Sequence, residues 1–502
     1  MFANAMKTNT YTWNGAVSLS TPDSSSEYSG RLSLFFKCVR NISDEKLYEY
    51  LEKSCLEDIV DTFIIAFNVR DPRGGKGERD LGIKIFEWLS KKQTDIFLKV
   101  VQLIPKYGRW EDFLHFLPND SISIPLEVSE KVLTLLTEQI IEDIKNMEKG
   151  ESVSLCAKWM PTENDSMDRK FHLVKSICSY LKVSRKEYRT EYIGPLRTYI
   201  NIVEKMMCSK RWYDIDFSKV PSCSMKKLKK AFERNTPRNF NEWKNKLLTG
   251  DSKVNAKVLF PHEIIREIRI NKYAVDEVCK AQWNVIEEEV RKLGTLEKTL
   301  VVVDSSGSMT DNNCLPSDIA YAMGILISSV VTGDFHNHVI TFNDNPEFYL
   351  LKDGDIYSRY LQISKTPVGY STNLQNIFDL ILNKAQEFKL KEEDMPTKIF
   401  IISDMQFNQI GKNFTSLNTN FQEIERKYGF KGYKRPDIIF WNVNGASTDF
   451  PVSVDDNGTC LISGASPHIL KSVLRCDKMS SVLILEETLN DERYNEIKEC
   501  LQ

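Results

Sequence analysis

Asp304, Ser306 and Ser308 stand at i, i+2 and i+4 directly behind the apolar run Thr299 to Val303. Alternate residues of an extended segment point the same way, so this spacing aims three oxygen-bearing side chains at one place. Thr372 opens a helical stretch after the turn-like Val368-Gly369-Tyr370-Ser371, and Asp404 follows a second apolar run, Lys398 to Ser403. If the two runs are neighbouring parallel strands, their carboxyl ends share the edge where α/β sheets bind ligands. Two carboxylates and three hydroxyls are hard donors suited to an octahedral Mg²⁺ or Mn²⁺ that retains waters, and they offer zinc neither thiolate nor imidazole. The plainer use of the same residues is helix capping, a common task of Ser and Asp. Thr372 and Asp404 at the right element ends favour the metal.

The elements needed to position these groups are legible. From about Leu32 to Val290 the pattern is predominantly helical: Val128, Val132, Leu135, Ile140, Ile144 and Met147 recur near a period of 3.6, and Leu47 to Phe67, Leu81 to Phe97 and Leu196 to Met207 behave alike. No fixed-length repeat is visible, which predicts an irregular stack of helix pairs. The texture changes within 290–298. Beyond it, short apolar runs at Thr299, His338, Lys398 and Pro436 alternate with helical stretches, such as Ser317 to Val331 and the one following Thr372, the pattern of a parallel sheet covered on both faces. The chain is thus read as α followed by α/β: a flexible tail over 1–30, a helical-repeat domain over 31–292 and a doubly wound, Rossmann-like domain over 293–502.

Composition narrows the function. The 502 residues, 41% hydrophobic and 27% charged, describe an ordinary globular chain of more than one domain. Eleven cysteines without a C-x-x-C pair, and six histidines without H-E-x-x-H, exclude zinc fingers and zincin proteases and suggest a reducing, cytoplasmic setting. The longest mostly apolar stretch, Ile319 to Val331, is interrupted by Ser328 and Ser329 and is too short for a membrane helix, and the first residues lack the features of a secretory signal. Net charge is −3 overall, but residues 1–300 hold 49 Lys and Arg against 43 Asp and Glu, while 301–502 hold 18 against 27. Residues 151–250 alone carry 21 basic and 11 acidic groups, a surplus that attracts polyanions.

Within that basic region Lys210, Arg211, Lys226, Lys227, Lys229, Lys230 and Arg234 are candidate RNA contacts, interleaved with Trp212, Tyr213 and Phe240. Met225, Leu228 and Phe232 at helical spacing predict a buried stripe that leaves the lysines of 226–230 exposed, although a solvated helix face accounts for the same pattern. The run Arg70 to Asp80, with Gly74-Gly75-Lys76-Gly77, suggests a phosphate loop, but a Walker A loop needs four residues between its glycines and Ser or Thr after Lys. A tight interhelical turn is the expected use. Tyr107 to Asp112 and Ala157 to Pro161 are turn-plus-aromatic patches, read as Trp packing at helix junctions ahead of base stacking.

D-S-S-G-S at 304–308, with Thr372 and Asp404, resembles the metal-ion-dependent adhesion site (MIDAS) of von Willebrand factor A-like domains over roughly 200 residues of chain. The resemblance implies direct coordination by Ser306 and Ser308, coordination by Thr372 directly or through water, and Asp304 and Asp404 acting through bridging waters. An acidic group of a protein partner, or a phosphate, would complete the shell. A haloacid-dehalogenase-type phosphatase would need a second Asp where Ser306 stands, and no G-x-S-x-G is present. RGGKGERD, YGRW, KWMPTEN, EYR at 187–189, VPS at 220–222 and AF at 231–232 resemble the helical region of an uncharacterised plant and giant-virus family that joins it to an A-like domain. That architecture is similar in turn to the TROVE-domain Ro autoantigen, whose helical (HEAT/TROVE-like) ring binds structured RNA. The expectation is a non-enzymatic, intracellular scaffold, carried in a virion if viral, with Mg²⁺ or Mn²⁺ in its A-like domain and RNA on its helical domain. The alternatives are a protein assembly factor without RNA and a metal-dependent hydrolase, for which His336, His338 and His468 have no evident placement as base.

Overall fold

Val301, Val302 and Val303 are wholly buried on both faces, which only the centre of a covered sheet allows. A computed structural model describes residues 9–11, 17–19, 29–117, 123–165, 168–169, 172–256, 258–272, 274–342, 345–367, 373–407, 420–445, 458–476 and 478–502. Its strands are β1 (Asn9–Tyr11), β2 (Val17–Leu19), β3 (Leu296–Glu297), β4 (Thr299–Asp304), β5 (Val331–Thr332), β6 (His338–Phe342), β7 (Phe348–Leu350), β8 (Lys398–Ser403), β9 (Asp437–Asn442) and β10 (Thr459–Ser463). Six of them form one sheet in the order β10-β9-β8-β4-β6-β7, parallel except for the antiparallel edge strand β7. β3 pairs with β5, and β1 with β2. The stretch expected to be a flexible tail therefore contains a short antiparallel pair.

The chain packs as two units that are not contiguous in sequence. One comprises Met1–Ile65, Arg73–Glu78 and Ala256–Glu492; the other Ala66–Pro72, Arg79–Asn255 and Arg493–Gln502. The first holds the large sheet, and the helices Asp311–Val330, Leu374–Glu387 and Asn420–Lys431 connect its successive parallel strands. Asp311–Val330 lies tight on β4: a Cβ at Gly324 would come within 2.4 Å of Val303 Cγ2, so a larger residue there would push helix from sheet. From β4 the chain moves outward to β6 and β7, then returns to the other side of β4 to lay down β8, β9 and β10. The direction of winding thus reverses between β4 and β8, and such a reversal opens a crevice at the carboxyl ends of the two strands.

Among the described residues the second unit is built of helices, including Arg79–Lys92, Leu126–Glu148, Ser222–Asn235 and Pro237–Thr249. One aromatic cluster joins Phe67, Phe86 and Tyr107, and another gathers Phe232, Phe240 and Trp243 around Phe217 at 5.0–5.6 Å between ring centroids. Arg70 and Asp112, both buried, pair at 2.6 Å in the same unit. Among the described residues, no helix is long and apolar enough to cross a membrane.

Candidate functional site

Asp304 is the last residue of β4, and Asp404 directly follows β8. The register Val303↔Ile402 makes these strands immediate neighbours, so both carboxylates stand at the switch-point edge. Asp304 is fully buried. Its Oδ1 accepts the Ser306 N–H at 2.8 Å, and its Oδ2 accepts the Ser403 hydroxyl at 2.5 Å. The Ser306 and Ser308 hydroxyl oxygens lie 3.2 Å apart. Asp404 Oδ1 accepts the Gln406 N–H at 3.2 Å, and Met405, between them, holds a left-handed φ of 66°. The helix Asp311–Val330 begins after Thr310, whose side chain makes no capping bond, so Asp304 is occupied in its own turn rather than at that helix end.

Burial, and then the charge of Asp404, push the Asp304 carboxyl well above the ordinary carboxylate range; the bonds from Ser403 and Ser306 oppose the rise only in part. Buried carboxylates in this relation gain from a cation that neutralises them. The donor set fits a hard ion: two adjacent ligands at about 2.1 Å on an octahedral centre lie about 3 Å apart, close to the Ser306 to Ser308 separation. Thr372, the fifth residue of the expected set, lies outside the described residues. His338 opens β6 while Phe342, four residues on, pairs with Asp304, so that imidazole stands roughly 13 Å down the strand. His336 is bonded to the Val331 carbonyl, and His468 follows β10, three strands from β4.

The glycine-rich run Arg73 to Glu78 is an internal clamp. Lys76 is 2% exposed; its ammonium donates to the carbonyls of Phe35 and Cys38 and to the Ser463 hydroxyl at 2.8 Å. Burial lowers it to about 8. A group so enclosed is not available to a phosphate. Gly77, at φ 69°, supplies the left-handed residue the turn needs, and Glu78 beside it is held at 2.9 Å by Arg40.

The basic region is only partly presented. On Ser222–Asn235 the buried positions are Ser222, Met225, Lys229 and Phe232, so Lys229 rather than Leu228 lies on the buried stripe. This corrects the expectation that the four lysines at 226–230 are all exposed: the 225/229/232 spacing completes the helical face, and the long alkyl stem of Lys229 fills it. Lys210, Arg211, Lys227, Lys230 and Arg234 are exposed, and Lys226 is half-buried. Tyr213 stands 69% exposed beside Arg211.

Two features of the site escaped sequence reasoning. Ser403 is the residue that bonds Asp304, yet it reads as the end of an apolar strand; its only signal was adjacency to Asp404. The strand β10, which supplies Ser463, is the short segment Thr459–Ser463.

Residues 298–500 match a domain of unknown function, DUF7788, and residues 179–296 match a second, DUF2828. Uncharacterized protein L728 of Acanthamoeba polyphaga mimivirus is 30% identical over 483 residues, covering 90% of this chain and 83% of that protein.

Proposed function

The chain belongs to the family of that giant-virus protein, and we propose that it is a non-enzymatic, two-module binding protein. One module is a von Willebrand factor A-like domain with a MIDAS-type Mg²⁺ or Mn²⁺ site at Asp304, Ser306, Ser308, Thr372 and Asp404. The other is a helical, HEAT/TROVE-like unit that binds RNA through its basic residues, including Lys210, Arg211, Lys226, Lys227, Lys230 and Arg234. Lys229, with its stem in the helix face, takes part only by way of its neighbours.

The observation that carries the metal reading is the buried, mutually repelling pair of carboxylates at the switch point, with two hydroxyls at ligand spacing beside it. When bound, the ion supplies a positive centre with a free position for a carboxylate or phosphate. Ser403 and the Ser306 N–H orient Asp304, and Ser306 and Ser308 hold their hydroxyl oxygens 3.2 Å apart in one turn. Binding rather than hydrolysis is supported by the three histidine positions, since activating a water calls for a base within hydrogen-bond reach. Titration of the full chain with Mn²⁺ by calorimetry tests the site: Asp404→Ala and Asp304→Ala should each weaken binding strongly. Unchanged affinity in both, or a metal-dependent nuclease or phosphatase activity abolished by Asp404→Ala, overturns the reading. RNA retention that falls steeply with salt supports the second module; its absence leaves the protein-assembly alternative.

A further inference from the structure

Three sequence patches that the metal site leaves unused, YGRW, KWMPTEN and EYR, come together in the helical unit around Trp159. The Arg109 guanidinium lies 5.5 Å from the centre of the Trp159 ring and the Lys158 ammonium 5.4 Å. Glu111 joins a third cation to this row, standing 3.9 Å from Arg109 and 3.1 Å from Arg79. The side chains of Arg79 and Arg109 are 40% and 35% exposed and Lys158 is half-buried, so the row reaches solvent.

The turn that carries Lys158 and Trp159 is braced from behind. Arg197 donates to the Ala157 carbonyl at 2.8 Å, the Met160 carbonyl at 2.6 Å and the Thr162 hydroxyl at 2.8 Å. The Tyr188 hydroxyl, buried, donates to the Pro161 carbonyl at 3.0 Å. Tyr188 opens a π-helix, Tyr188–Ile193, a conformation that recurs at functional sites. A Cβ at Gly194 would lie 2.6 Å from the Arg189 carbonyl oxygen, so only glycine permits this winding. On the other side, the Arg109 N–H is fixed at 2.9 Å by Asp112, itself buried against Arg70. So much backbone bracing beneath a surface aromatic flanked by cations holds those cations in place before any ligand arrives.

We propose that this row is a second RNA site, in which Arg79, Arg109 and Lys158 contact backbone phosphates and Trp159 holds the Arg109 fork in plane. A guanidinium held over a ring keeps its N–H edge turned to the side; that of Arg109 meets Glu111 at 3.9 Å, a loose pair that a phosphate would displace with a bidentate contact of a kind lysine cannot make. The choice of RNA rests on the reading above; the row shares no residue with the helix Ser222–Asn235.

The test is anisotropy of a fluorescein-labelled single-stranded RNA with the full chain across 50–200 mM salt. The double variant Arg109→Gln/Lys158→Gln should lower the slope of log affinity against log salt by about 1.4, since each single-strand phosphate contact contributes about 0.7. Arg109→Lys/Lys158→Arg should keep the slope, and thermal melting should not change in either. An unchanged slope in the Gln variant, while wild type binds RNA, overturns this site and leaves the Ser222–Asn235 surface standing. No RNA binding by wild type overturns both, and equal affinity for poly-glutamate overturns the assignment to RNA.

Discussion

Asp304→Asn removes a titrating group from a fully buried position while keeping its hydrogen bonds, because the amide oxygen still accepts the Ser306 N–H and the amide nitrogen can donate to the Ser403 oxygen. The wild-type carboxyl is raised from 3.8 to about 7 by burial and by Asp404. Between those two values the folded chain holds a proton that the unfolded chain has released, so stability falls as pH rises through this window. The whole difference corresponds to about 4 kcal/mol, of which roughly 2–3 kcal/mol is lost between pH 5 and pH 8; at about 2 °C per kcal/mol for a unit of this size, the metal-free protein should melt roughly 5 °C lower at pH 8 than at pH 5 on account of this group. With the proposed site, Mg²⁺ or Mn²⁺ should reverse the loss only where the carboxylate is charged; at a hundred times its Kd it should restore about 2.7 kcal/mol. The assay is differential scanning fluorimetry of wild type and Asp304→Asn from pH 5 to 8, with chelator and with the ion. In the variant, both this component of the pH slope and the ion-dependent shift should vanish. The same slope in both proteins, or an ion effect as large at pH 5 as at pH 8, refutes the reasoning.

Lys76→Met should destabilise the first unit by about 2–3 kcal/mol, because the Phe35 and Cys38 carbonyls lose a buried charged donor, and ATP should not shift the melting of wild type; a nucleotide-induced shift would return the glycine-rich run to phosphate binding. Lys227→Glu and Lys230→Glu should melt like wild type and weaken RNA retention, whereas Lys229→Glu should lower the melting temperature, since it puts a carboxylate among Met225 and Phe232; equal melting of all three by circular dichroism would contradict the observed helix face. Arg70→Met should cost about 3 kcal/mol by leaving the buried Asp112 carboxylate with only the Arg109 N–H and the more distant Arg79, and Arg70→Met/Asp112→Leu should recover part of it in chemical denaturation.

Much of the sheet unit was legible in the chain. Thr299 to Val303, His338 to Phe342 and Lys398 to Ser403 read as buried strands because a parallel sheet covered on both faces demands unbroken apolar runs, and the structure forms them there. Asp304, Ser306 and Ser308 were legible for the same local reason: their spacing is a property of one strand end. The helix faces were legible in period but not in phase. Leu136 rather than Leu135 is buried on Leu126–Glu148, and Asp143 joins the buried face because Ser154 satisfies both of its oxygens at 2.9 and 2.6 Å, a partner eleven residues away that a local pattern does not contain.

What only the tertiary structure decided are the relations between distant segments. Strand order, and with it the adjacency of Asp304 and Asp404, depends on the chain passing outward to β7 before returning to β8. That Lys76 is a clamp depends on Phe35 and Ser463 meeting it from positions 41 residues before and 387 after. The convergence of Arg109, Trp159 and Arg197 is of the same kind. A sequence displays periodicity and local spacing directly, because neighbouring residues share a backbone conformation. Which buried cation finds which carbonyl is settled by packing the whole chain at once, when every polar group removed from water must find a partner.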